Sequence, residues 1–101
     1  MDHLPYTLGR WTVKAGHEDA FVEAWTALST HFLSLPAPPL PGTLVRNVHE
    51  PSLFYSFGQW QSLDDIAAMR MHPDTPSAIA RVAEHCDEAV PGAYEVVARV
   101  G

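Results

Sequence analysis

The stretch PSLFYSFGQWQSL, Pro51 to Leu63, decides the fold. It opens on a turn signal, Glu50-Pro51-Ser52, and runs as an aromatic-rich strand from Leu53 to Trp60. It ends at Ser62, a good helix N-cap with Asp65 three residues later. A strand feeding directly into a capped helix fixes sheet and helix relative to each other. Alternation places Leu53, Tyr55, Phe57 and Gln59 on one face and Phe54, Ser56, Gly58 and Trp60 on the other. Ser56 and Gly58 stand where a packed core strand carries Val or Ile. Small residues between two large aromatics predict a bulge or close helix packing at Gly58, or else a pocket above the sheet.

Upstream of this stretch, Tyr6–Val13 reads as a strand, with Tyr6, Leu8, Arg10 and Thr12 on one face and Thr7, Gly9, Trp11 and Val13 on the other. Gly9 is a second small residue inside a strand. Ala15-Gly16 turns the chain into a helix over Glu18–Ser34. There Phe21, Trp25, Leu28 and Phe32 recur at i, i+4, i+7 and i+11 as one apolar stripe. The segment Pro36–Gly42 carries four prolines in six residues and suits a stiff connector better than a helix or central strand. Thr43–Val48 is the next strand and pairs with the first stretch as a hairpin. Downstream, Ser62–Met71 is a short helix with Leu63, Ile66, Ala67 and Met69 or Arg70 turned inward, stopped by Pro73. Asp74 caps a helix over Thr75–Glu88 with the stripe Ile79, Val82, Ala83, Cys86. Pro91-Gly92 is read as a turn, and Ala93–Val100 as the last strand.

The order βαββα(α)β predicts an α+β ferredoxin-like plait, an antiparallel four-stranded sheet with its helices on one side. The first and third strands are then central neighbours. The opposite face, with Tyr6, Leu8, Tyr55, Phe57 and Val97, has no helix over it. An apolar sheet face of that size calls for a second copy of the chain, and a homodimer is expected.

At 101 residues the chain is one domain, 1–101, with its core over 6–100. A net charge of −6 and six scattered Lys and Arg disfavour nucleic acid as a partner. The sequence shows no membrane span and no signal peptide, and a cytoplasmic protein is expected. Cys86 is the only cysteine, so no intramolecular disulfide forms. It falls on the last helix stripe and reads as a small core hydrophobe. None of the six histidines recurs at metal-ligand spacing on a helix, and no metal is expected. Glycine-rich phosphate loops and nucleophile elbows are absent. Arg10 and Arg99 are expected to meet Glu95 on the open face.

Three segments carry a family likeness: Val13–Phe21 (VKAGHEDAF), Phe54–Ser62 (FYSFGQWQS) and Pro91–Ala98 (PGAYEVVA). Together they resemble the antibiotic biosynthesis monooxygenase-like group of dimeric α+β barrel proteins, over nearly the whole chain from Tyr6 to Val100. The junction Trp60-Gln61-Ser62 and the turn Lys14-Ala15-Gly16 are its most regular marks. The resemblance implies a ferredoxin-like protomer, a dimer joined sheet to sheet, and a ligand pocket between sheet and helices. Members of this group include enzymes that oxygenate polycyclic phenols without metal or flavin, and others that degrade haem. Of the residues that mark the haem-degrading members only Trp60 is matched; their Asn falls at Gly9 and their His near Ile79.

The resulting expectation is a cofactor-independent monooxygenase acting on a small aromatic or quinone-like compound, with no cofactor. The alternatives are a non-catalytic dimer that binds a small apolar ligand, as sensor or carrier, and a purely structural dimer with a closed core. The expected pocket is floored by Gly9, Ser56 and Gly58 and walled by Phe21, Trp25, Phe54 and Trp60. His72, His85 and Tyr55 are the proton-handling candidates, one of the two histidines standing near the mouth.

Overall fold

A computed structural model describes residues 4–101 of the chain. His3 lies outside the described residues. Seven elements follow one another: β1 (Tyr6–Val13), α1 (Glu18–Leu33), β2 (Thr43–Arg46), β3 (Leu53–Gln59), α2 (Leu63–Met71), α3 (Thr75–Ala83) and β4 (Cys86–Tyr94). The strands form one sheet in the order β2-β3-β1-β4 with every neighbour antiparallel. This is the α+β ferredoxin-like plait expected from the element order.

Local chemistry explains the joints. Gly16 turns the chain into α1 at φ 85°, a left-handed conformation that a side chain would resist. The Ser62 hydroxyl accepts the backbone N–H of Asp65 at 3.1 Å, which satisfies one open donor at the start of α2. At the β2–β3 hairpin the Asn47 carboxamide oxygen accepts from the backbones of His49 and Glu50, at 2.8 and 2.9 Å. The proline-rich connector lies along the sheet rather than away from it: the Leu40 N–H donates to the Gln59 carbonyl at 2.9 Å.

The core forms between the sheet and the helices. Trp11, Val13, Phe54 and Cys86 from the strands meet Phe21 and Leu28 of α1 and Val82 of α3. A smaller cluster joins Trp60 to Ile66 and Met69 of α2. Each such side chain contributes about 1.5–3 kcal/mol on burial, so the helices are held to one side by their stripes. Leu63 and Ala67, expected to face inward, are exposed; α2 buries only Ile66 and Met69.

The last third departs from the sequence reading. Helix α3 stops at Ala83, not Glu88, and the final strand is 86–94 rather than 93–100. Pro91-Gly92 is not a turn but lies inside β4, opposite Gly9 and Leu8 of β1. Proline is tolerated there because β4 is an edge strand with a free side. A register shift at Thr12/Val13 leaves Asp87 as an extra residue, so that Cys86 faces Val13 while Glu88 faces Thr12. Cys86 stands four residues after Val82 and so keeps the apolar spacing of α3 although it is already in a strand. Val97 consequently lies beyond the sheet and is exposed. Arg10 pairs with Glu88 at 2.6 Å, not with Glu95.

Cys86 itself is buried, its thiol donating to the Val82 carbonyl at 3.5 Å. Burial, with the nearby Asp87 charge, pushes the thiol above its ordinary value near 9.0, while Lys14 acts the other way. The folded state therefore favours the neutral thiol. That contribution to stability is complete below the ordinary thiol value and is lost as pH rises through the raised folded value. A disulfide reagent at about pH 8 should react with the native thiol at least about tenfold more slowly than with the urea-unfolded chain. Equal rates would place the thiol at the surface.

Candidate functional site

A pair of neighbouring cavities opens between the sheet and the helices over Thr7 and Ser56. The larger, about 310 Å³, runs from Gly9, Trp11 and Ser56 on the sheet to Trp25, Leu28 and Phe32 of α1, Met69 and Arg70 of α2, and Ile79 of α3. Trp25 and Ile79 thus stand on the same side of the sheet, as their stripes require. The smaller, about 40 Å³, lies toward the proline-rich connector and is lined by Gly58, Trp60, Leu40 and Gly42. Thr7, Trp25, Phe32 and Ser56 line both.

Gly9 and Ser56 face each other across β1 and β3. The space above Gly9 is not empty. A Cβ placed on Gly9 would lie 2.6 Å from the indole of Trp11, two residues along on the same face. The indole folds back over the glycine, and its Nε1–H donates to the Ser56 hydroxyl at 3.0 Å in the buried interior. The room left by two small residues is thus partly taken by a strand neighbour. Sequence reasoning looked for a helix side chain or a ligand to fill it and omitted this third occupant, although Trp11 had been assigned to the same face as Gly9. Gly58 is different: a Cβ there would meet the Gly42 Cα at 3.6 Å and the Leu40 carbonyl oxygen at 4.0 Å, ordinary contacts with the connector.

A second indole repeats the pattern. The Trp60 Nε1–H donates to the Thr7 hydroxyl at 3.0 Å. An indole N–H is a donor only, so in both pairs the hydroxyl accepts and its own hydrogen stays available. Thr7 and Ser56 are therefore oriented polar groups in a mostly aromatic and aliphatic lining, with Ser29 the further hydroxyl on the smaller cavity. Among the described residues Arg70 is the single charged one on the larger cavity, and it is exposed, which places it at the mouth.

Of the expected site residues, Gly9, Trp25, Ser56, Gly58 and Trp60 are brought together on the two cavities. Phe21 and Phe54 are not on either one. They are core residues with ring centroids 4.9 Å apart, and Phe21 also packs on Trp11 at 5.8 Å. The proton-handling candidates lie elsewhere. Tyr55 projects from the helix-free face and is exposed. His85 meets His17, Nδ1 to Nδ1 at 3.1 Å, where one imidazole donates and the other accepts. His72 accepts the Asp74 backbone N–H at 3.1 Å and packs edge-on against His31. His31 in turn reaches the Thr75 hydroxyl at 2.9 Å. Among the described residues no group of three or more His, Cys, Asp or Glu is placed to hold a metal ion.

Sequence reasoning also missed Thr7, Met69, Phe32 and Ile79 as cavity residues. Ile79 and Met69 read as core positions of their helices, Phe32 as the end of a stripe whose aromatics serve core or pocket alike, and Thr7 only as a residue on the same face as Gly9. Spacing gives the face a residue occupies but not whether its neighbours close over it.

No family model matches the chain, and no curated protein matches it. Solved structures do. A mutant of SnoaB, a cofactor-independent oxygenase from Streptomyces nogalater, superposes with a TM-score of 0.87 at 14% identity, over 98% of both chains. A candidate antibiotic biosynthesis monooxygenase from Nitrosomonas europaea gives 0.79 at 19% identity, over 100% of this chain and 97% of that one. Another from Deinococcus radiodurans gives 0.81 at 14% identity, over 97% of each. The whole of the chain, not one motif of it, thus has the fold of proteins named antibiotic biosynthesis monooxygenases.

Proposed function

We propose that the chain is a monooxygenase that needs no bound cofactor and acts on a small aromatic or quinone-like compound. The observation that carries this reading is the cavity of about 310 Å³ between Trp11, Trp25 and Phe32, of a size and lining suited to a flat apolar ligand. The fold shared with a named cofactor-independent oxygenase supports it.

Such chemistry requires a substrate that itself gives up electrons to dioxygen, a site that sheds water, and polar groups that hold the substrate in one orientation. For a phenol converted to a quinone, one oxygen atom enters the ring and the other leaves as water. The two hydrogens of that water come from the substrate, so the balance closes without an external reductant. In this chain Trp11, Trp25 and Phe32 supply the apolar walls. The Ser56 and Thr7 hydroxyls, held by their indole partners, supply fixed donors to a substrate oxygen. His72, His85 and Tyr55 do not reach the cavity, and no role is carried over to them.

The test is turnover of a panel of polycyclic phenols in air by chelator-treated protein, read by mass spectrometry under labelled dioxygen. The expected product has gained one labelled oxygen and lost two hydrogens. The second reading, a non-catalytic sensor or carrier, is favoured by the cavity lining, which holds no imidazole among the described residues. Binding of the panel without any product would establish that reading and overturn the oxygenase. In either case the working form is taken to be a homodimer joined through the open sheet face.

A further inference from the structure

We propose that the larger cavity selects an aromatic compound carrying an anionic oxygen, which Arg70 holds at the mouth while the hydroxyls of Thr7 and Ser56 donate to an acceptor oxygen at the floor. The inference rests on the reading of this cavity as the ligand site and adds the charge of what enters it.

Every side-chain polar group on the lining is a donor. Thr7 and Ser56 each accept an indole N–H and make no other side-chain hydrogen bond among the described residues, so the hydrogen of each hydroxyl remains to be given. Arginine has five N–H donors and no acceptor. The ion pairs among the described residues are Arg10 with Glu88 and His85 with Glu84, so Arg70 has no carboxylate partner among them. Among the described residues no Asp or Glu lines the cavity. A cation would face the Arg70 guanidinium with no carboxylate among the described residues to balance it, and only the second lone pair of each hydroxyl to replace its hydration. A carboxylate or ionised phenol gains charge-assisted hydrogen bonds at the mouth, where guanidinium geometry suits two oxygens at once. The chain as a whole carries −6, which makes a lone unpaired guanidinium at the entrance a local exception to the surrounding field.

Three naphthalene probes of one size test this by calorimetry at low ionic strength: naphthoate, naphthylmethanol and naphthylmethylammonium. Naphthoate should bind at least about tenfold more tightly than the alcohol, and the ammonium most weakly. Arg70→Gln should bring naphthoate to the affinity of the alcohol, and Arg70→Lys should keep part of the preference. Because Arg70 is exposed, neither substitution threatens the fold, which circular dichroism checks. Naphthoate no tighter than the alcohol, or a preference that survives Arg70→Gln, overturns the inference and leaves the ligand site standing, since the alcohol still binds. Failure of all three probes removes the ligand site, and this inference with it.

Discussion

Replacing Trp11 with alanine should remove about 3–5 kcal/mol of stability, the usual cost of deleting a buried large aromatic. Against a domain stability of about 5–15 kcal/mol this brings the chain close to unfolding. Trp11 is 3% exposed, packs on Phe21 and donates its indole N–H to Ser56. The more informative experiment couples it to Gly9. On its own Gly9→Ala should cost about 1–3 kcal/mol, because the new methyl would stand 2.6 Å from the indole, and moving the ring aside strains its hydrogen bond to Ser56. In the Trp11→Ala background the same methyl enters open space, and alanine is the better strand residue, so the penalty should vanish or change sign. Urea denaturation of the four proteins gives the coupling energy directly. An equal cost for Gly9→Ala in both backgrounds would show that the indole does not lie over the glycine.

Phe57→Asp should turn a homodimer into a folded monomer. The helix-free face exposes Leu8, Val45, Tyr55, Phe57, Val90 and Tyr94. Phe57 sits near its centre, opposite Leu8 on one side and Thr43 on the other. A two-fold interface contains each substitution twice. Losing about 1.5–3 kcal/mol per large apolar side chain, and burying a carboxylate in its place, should raise the dissociation constant at least about a hundredfold. Val90→Asp, on the edge strand of the same face, should act in the same direction. Sedimentation at micromolar concentration provides the measurement, with circular dichroism to show that the monomers remain folded. A native chain that sediments as a monomer would refute the proposed assembly outright.

Much of the architecture was legible because periodicity is a local property. Alternation along Leu53–Trp60, the stripe from Phe21 to Leu28 and the Ser62 cap each rest on residues within two turns or a few strand positions of one another. Those signals gave the element order, and the element order gave the plait. Gly9 and Ser56 were likewise found from their own strands, because a small residue is anomalous wherever a core strand is expected to be large.

The tertiary structure alone decided the rest. Cys86 has the right spacing from Val82 to be helical and the right spacing through a bulge to be a strand residue; only pairing with Val13 chooses between them. Pro91 reads as a turn until β4 is known to be an edge, where one row of backbone groups has no neighbour. Phe21 and Phe54 were assigned to a pocket wall and became core. Gly9 was assigned to a pocket floor and is roofed by Trp11. The histidines were the groups most open to error, since residues on separate elements acquire chemical relations only when the chain closes: His17 with His85, and His31 with Thr75. The alternation of a strand states which side a residue faces. Which atoms arrive to fill the space on that side depends on contacts between elements far apart in sequence, and these exist only in the folded chain.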